Sequence, residues 1–121
     1  EAEDLWRLHD NLYSVISAAG YPRIEDSSFE ANMDKFLDWM GKQNIPCHGN
    51  ILGGSVHPHL RDADEVDKLS ATVSELKGRM VGEFGVGMLR KRFAPLGTAQ
   101  NIKELKEKYD PRNILNKGKV I

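Results

Sequence analysis

The sequence predicts an α+β domain, a small and mostly antiparallel sheet with helices packed on one side. Three observations predict it. Apolar residues recur at spacings of three and four in four separate segments, the period of helices that bury one face. Short extended stretches bounded by Gly and Pro separate those segments. The resulting order is α-β-α-ββ-α-β-α, which suits a small sheet with helices set to one side. The 121 residues are read as one domain, 1–121.

The first helix is predicted over residues 3–19, where Leu5, Leu8, Leu12, Val15 and Ala19 recur at helical spacing. Gly20 is its stop and Pro22 discourages continuation. Tyr21 to Ser28 reads as extended. A second helix over 29–42 carries Phe29, Met33, Phe36, Leu37 and Met40 on one face, and Gly41 and Asn44-Ile45-Pro46 end it. Two short strands, or a strand with a turn, follow in Pro46 to His59. Asp62 opens the third helix, with Glu65 three residues on as in a capping box. Val66, Leu69, Val73, Leu76 and Met80 form its inward stripe and Gly78 ends it. Arg79-Met80-Val81 is a short strand, and Gly82 to Gly87 opens a second glycine-rich stretch. Thr98 is the predicted cap of a last helix, 99–109, with Ile102 and Leu105 inward, broken at Asp110-Pro111.

Composition narrows the function classes. Hydrophobic residues make up 40% and charged residues 29%, the balance of a folded globular domain. The net charge of −1 supplies no basic stripe for nucleic acid. Arg90-Lys91-Arg92 is a short basic cluster, either solvated surface or an anion contact. Cys47 is the single cysteine, so no internal disulfide forms; this fits a reducing compartment, and a cytoplasmic location is expected. No apolar run reaches the roughly 18–20 residues that span a bilayer. The first residue is not methionine, so the chain is read as processed or as a fragment.

Chemistry concentrates in Pro46 to His59, which holds three histidines, a cysteine, an amide and several glycines. On a strand, His57 and His59 share a face, because side chains alternate with a period of two. They form a candidate ligand edge; the plainer alternative is a hairpin with solvated histidines. Cys47 and His48 are adjacent and would face opposite sides of a strand, which argues against a nucleophilic pair. Gly82 to Gly87 lacks the spacing of a dinucleotide fingerprint, and no Gly-Lys-Ser/Thr follows it as in a phosphate loop. Its useful member is Glu83, a carboxylate among glycines; the plainer alternative is an exposed turn glutamate. If both glycine-rich segments lie at one sheet end, His57, His59 and Glu83 give two nitrogens and one carboxylate for a metal.

Three blocks carry a family resemblance. They are Gly49-Asn50-Ile51-Leu52-Gly53-Gly54-Ser55-Val56-His57, then Gly82-Glu83-Phe84-Gly85-Val86-Gly87-Met88-Leu89-Arg90-Lys91-Arg92, then Asp110-Pro111-Arg112-Asn113-Ile114-Leu115-Asn116-Lys117-Gly118-Lys119. In order and spacing the chain resembles the C-terminal domain of the FAD-linked oxidases that act on 2-hydroxy acids: D-lactate dehydrogenases, glycolate oxidase flavin subunits and D-2-hydroxyglutarate dehydrogenases. The resemblance implies the C-terminal, substrate-side portion of a vanillyl-alcohol-oxidase-like flavoprotein. Its cofactor would be FAD, its second cofactor a divalent metal, its substrate a small 2-hydroxy acid such as D-lactate or glycolate. Its partner would be an N-terminal FAD-binding domain outside these residues.

By the same resemblance, His57 is the second metal histidine and Glu83 the metal carboxylate. His59 falls at a position that touches substrate, and Asn116 at a tail position that approaches the cofactor. The sequence departs from the family at five positions. Asn50 stands where the first metal histidine would be, with His48 or His59 as substitutes that geometry must decide. Phe84 stands at the position of the proton-accepting histidine. Gly53 and Ser55 replace an Asp and an Asn of the central loop, and Lys117 replaces a tail proline. Two functions follow as expectations. The first is a domain of an FAD-dependent 2-hydroxy acid oxidoreductase, inactive by itself. The second is a non-catalytic module for assembly or partner binding that lacks the metal site.

Overall fold

A computed structural model of the chain describes residues 1–80, 86, 88, 90–94 and 96–119. The chain divides into two compact units, Glu1–Arg79 and Met80–Ile121.

The first unit is built around one strand. Strand β4 (Ser55–Leu60) pairs antiparallel on one edge with β3 (Cys47–Asn50) and on the other with β1 (Arg23–Ile24) and β2 (Ser27–Ser28). The two short strands are one extended segment interrupted by chemistry. Ile24 faces His59 and Ser27 faces Val56, so the register does not slip between them. Glu25 therefore faces Pro58 and Asp26 faces His57. The Glu25 N–H donates to the Pro58 carbonyl at 2.9 Å, but Pro58 has no N–H to return. Ser28 continues outward, exchanging two 2.9 Å backbone bonds with Arg79. Arg79 is thus extended as predicted; Val81, the end of that predicted strand, lies outside the described residues.

Alternation then separates two faces of β4. Val56 and Leu60 are buried on one, in a core that takes Phe36 and Met40 from helix α2 (Met33–Gln43) and Val66, Leu69 and Val73 from helix α3 (Glu65–Glu75). On the other lie Ser55, His57 and His59. Helix α1 (Ala2–Ala18) sends Tyr13 to that second face, its ring 6.1 Å from that of His59.

Several element ends differ from expectation for local reasons. Helix α2 starts at Met33 rather than at 29, because Ser28 is still bonded to Arg79 and Phe29 donates to the Gly54 carbonyl at 2.8 Å. Phe29 is buried all the same, its ring centroid 4.6 Å from that of Phe36 and tilted against it. The cap of α3 is reciprocal but displaced. Asp62 accepts from the Asp64 and Glu65 N–H groups, while Glu65 reaches back to the Arg61 N–H at 2.7 Å. The left-handed residue after α3 is Lys77, at φ 59°, not Gly78. Gly78 is required for space instead: a Cβ there would enter the Phe29 ring. On α1 the predicted stripe does not turn inward. Leu12 and Ile16 are half-buried, but Leu5 is 68% exposed and Trp6, Leu8 and Val15 are nearly as open.

The second unit contains a 3₁₀ turn, Lys91–Phe93, and helix α4 (Leu96–Tyr109). Thr98 lies inside this helix and not at its cap, and Leu105 is exposed where it was expected inward. The break at Asp110-Pro111 has a clear cause. The Asp110 carboxylate accepts the N–H groups of Ile114 and Leu115 and the Lys106 ammonium at 2.7 Å, so it folds the tail back on the helix end. The Lys106 bond first, then the Ile114 and Leu115 N–H groups, hold this carboxyl below the usual carboxylate range.

Candidate functional site

The three histidines of the hairpin meet on one face of the sheet. His48 on β3 and His57 on β4 are direct cross-strand partners, their rings 4.9 Å apart. His59, two residues along β4, completes the group: His48 Nδ1 and His59 Nε2 are 2.9 Å apart, with ring centroids at 5.0 Å. From the opposite edge, the register brings Asp26 across from His57, and Asp26 Oδ1 lies 2.8 Å from His57 Nδ1. Both side chains of that pair are buried, Asp26 to 1% and His57 to 7% side-chain exposure.

Burial sets the electrostatics. His59 has no exposed surface, and its Nδ1 makes no hydrogen bond. Loss of hydration first, and then the neighbouring His48, push its imidazole below the ordinary value; the Tyr21 carbonyl works against them and His57 adds slightly. A buried histidine of this kind is held neutral.

The candidates for the first histidine position sit at different places in the hairpin. His48, not Asn50, is in register with His57. Asn50 faces Ser55 at the mouth of the turn, and its Oδ1 accepts the Gly53 N–H at 2.9 Å, closing the 51–54 turn. His59, expected at the substrate, has no exposed surface and lies 2.9 Å from His48. The plain alternative of solvated histidines fails for His57 and His59, while His48 is half-buried. Cys47 is an exposed free thiol in register with Pro58, on the opposite side of the strand from the histidines.

Glu83 and Phe84 lie outside the described residues, so the expected meeting of Glu83 with His57 and His59 does too. Asn116 sits in a turn of the second unit at φ 46°, exposed, its carbonyl accepting the Lys119 N–H at 3.0 Å. Among the described residues, no group of three or more His, Cys, Asp and Glu side chains is disposed to hold a metal ion. What they do supply is two opposed imidazoles, each with Nδ1 in a short contact. Two nitrogen donors leave a divalent metal in need of at least one more ligand. Asp26 is the residue that sequence reasoning missed. Its alternation with Ile24 and Ser28 was visible, but the pairing register that carries it to His57 was not.

Fold and site together define a class: an antiparallel α+β domain that presents a cross-strand histidine pair on one sheet face. The chain belongs to the family of FAD linked oxidases, C-terminal domain, whose model matches residues 47–120, more than half of it. It is 29% identical over 125 aligned positions to glycolate oxidase subunit GlcD of Bacillus subtilis (strain 168), covering 88% of this chain and 26% of that protein. It is 32% identical over 92 positions to the probable mitochondrial D-lactate dehydrogenase of Danio rerio, covering 63% of this chain and 18% of that protein. The chain thus spans about a quarter of the first relative and under a fifth of the second. Among the described residues, no helix is long and apolar enough to cross a membrane.

Proposed function

We propose that this chain is the substrate-side domain of an FAD-dependent oxidoreductase that oxidises a 2-hydroxy acid of the D-lactate or glycolate kind. The observation that carries the reading is the His48–His57 pair, which falls inside the family-matched block. The two relatives, a glycolate oxidase subunit and a probable D-lactate dehydrogenase, support the substrate class.

His48 and His57 would hold a divalent metal, with Glu83 as third ligand. When bound, such a metal would supply positive charge that lowers the pKa of a hydroxyl, and FAD would supply the hydride acceptor. The chain's own contribution is to orient. Asp26 and His59 brace the two imidazoles, and the closed 51–54 turn sets the separation of β3 and β4. Asn116 is proposed at the cofactor. Phe84 can neither ligate nor accept a proton, so the hydroxyl proton leaves to a group other than residue 84. FAD itself would be held by an N-terminal FAD-binding domain. The open apolar side chains of α1, Leu5, Trp6, Leu8 and Val15, suit burial against more of that protein.

The test is anaerobic mixing of the full-length flavoprotein with D-lactate, glycolate and D-2-hydroxyglutarate while flavin absorbance is followed. Bleaching by at least one of them is expected, and its loss in His57→Ala. A flavin that none of them reduces overturns the reading in favour of a non-catalytic module.

A further inference from the structure

The end of helix α4 grips the tail at one residue. Asp110 follows the helix, and its carboxylate accepts the N–H groups of Ile114 at 2.8 Å and Leu115 at 2.9 Å. Lys106, one turn back, donates to the same carboxylate at 2.7 Å and also to the Leu115 carbonyl. Both backbone polar groups of Leu115 are therefore held by side chains from the helix end. Neither side chain is an ordinary solvated one. Lys106 is 17% exposed and Asp110 10%, whereas Lys103, on the same helix, is 60% exposed. A lone surface ion pair contributes little. This one is tied into three further hydrogen bonds to the backbone of the tail.

The grip ends immediately before Asn116. That residue is exposed and sits at φ 46°, in the left-handed region that Asn enters more readily than most side chains. Its carbonyl accepts the Lys119 N–H at 3.0 Å, and Gly118 turns between them at φ 76°. The backbone is thus held on both sides of Asn116, by the helix end before it and by the turn after it. The Asn116 amide offers two N–H donors and a carbonyl acceptor. That set suits the alternating carbonyl and N–H groups along the edge of a flavin ring.

We propose that Lys106 and Asp110 are positioning residues that fix the Leu115 peptide groups and so pre-set Asn116 for the cofactor. A segment already ordered before binding avoids the entropy loss of a free tail. The clamp stands on the geometry of this unit; its use rests on the place at the cofactor proposed for Asn116 above.

The test uses the full-length flavoprotein with three variants: Lys106→Met, Asn116→Ala and the two combined. Lys106→Met removes the ammonium and keeps a long unbranched side chain that suits a helix. Amide hydrogen exchange over residues 113–119 is expected to quicken in Lys106→Met. FAD titrated into the apoprotein is expected to bind about 2–10-fold more weakly to that variant. The double variant is expected to bind FAD no more weakly than Asn116→Ala alone, because a clamp that acts through Asn116 then has nothing left to position. A merely stabilising clamp would instead add its loss to that of Asn116→Ala. Losses that add overturn the proposal, as does Lys106→Met with wild-type exchange or wild-type FAD affinity. Asn116→Ala with wild-type FAD affinity overturns it too; if 2-hydroxy acids still bleach the flavin of that variant, the oxidoreductase reading stands without it. Should Lys106→Met fail to fold, Asp110→Asn takes its place in the same cycle, since it keeps an acceptor oxygen and removes the charge that holds Lys106.

Discussion

Asp26 and His57 occupy facing positions on neighbouring antiparallel strands and close the gap with a 2.8 Å Oδ1 to Nδ1 contact that is almost wholly buried. Neither residue is near the other in sequence; thirty-one positions separate them. The pair ties the histidine face of the sheet to the segment that leads into helix α2.

Removing one partner should cost stability. Asp26→Ala leaves a buried imidazole N–H without its acceptor, a loss of about 1–3 kcal/mol. Asp26→Asn, which keeps an acceptor, should lose less. Urea unfolding of both variants checks the order, and an Asp26→Ala midpoint equal to wild type would contradict it.

Stability should fall on mild acidification through His59. Burial holds its folded-state proton affinity below the ordinary 6.5. As pH drops below 6.5 the unfolded chain takes this proton first, so the unfolded state gains and stability declines until the folded imidazole titrates as well. Well above 6.5 both forms are neutral and this contribution is flat. Thermal midpoints measured from about pH 8 to about pH 5, the range over which histidines titrate, should show the decline. His59→Leu should reduce its slope; an identical profile in that variant would assign the decline elsewhere.

The core should respond far more than the open helix. Phe36 has no exposed surface, packs against the tilted Phe29 ring and stacks on Trp39. Phe36→Ala should cost about 3–5 kcal/mol. Leu5→Ala on the exposed side of α1 should stay within about 0.5 kcal/mol in this chain. Comparable losses at the two sites would mean that α1 buries its stripe in solution.

Two glycines should fail for different reasons. Gly78→Ala drives a methyl into the Phe29 ring, an overpacking cost of about 1–3 kcal/mol. Gly20→Ala meets open space but must hold φ +95°, a backbone cost of about 1–2 kcal/mol. The double variant Gly78→Ala with Phe29→Leu should recover part of the first loss, whereas no packing change should rescue the second. Chemical denaturation of the four proteins separates the two mechanisms.

Much of the fold was legible because it follows from local rules. The periods of α1, α2 and α3, the glycine and proline breaks, and the Asp62–Glu65 cap all depend on neighbours within a few residues. The errors fall where a distant contact overrides a local one. Helix α2 loses its predicted first turn because Ser28 and Phe29 are already bonded to Arg79 and Gly54. Gly78 looked like a conformational stop and is a spacer for an aromatic ring.

The sequence by itself determined the family, the α+β class and the hairpin that carries the histidines, because each is written in contiguous residues and their spacing. It also showed that His57 and His59 share a strand face. Only the tertiary structure decided which residue stands opposite His57. A two-fold strand period is blind to how many residues the turn consumes, and here a turn closed by Asn50 puts His48 in register. The same holds for Asp26. Its place behind His57 depends on strand pairing across the sheet, a long-range register that hydrogen bonds and the buried Val56–Leu60 face select together.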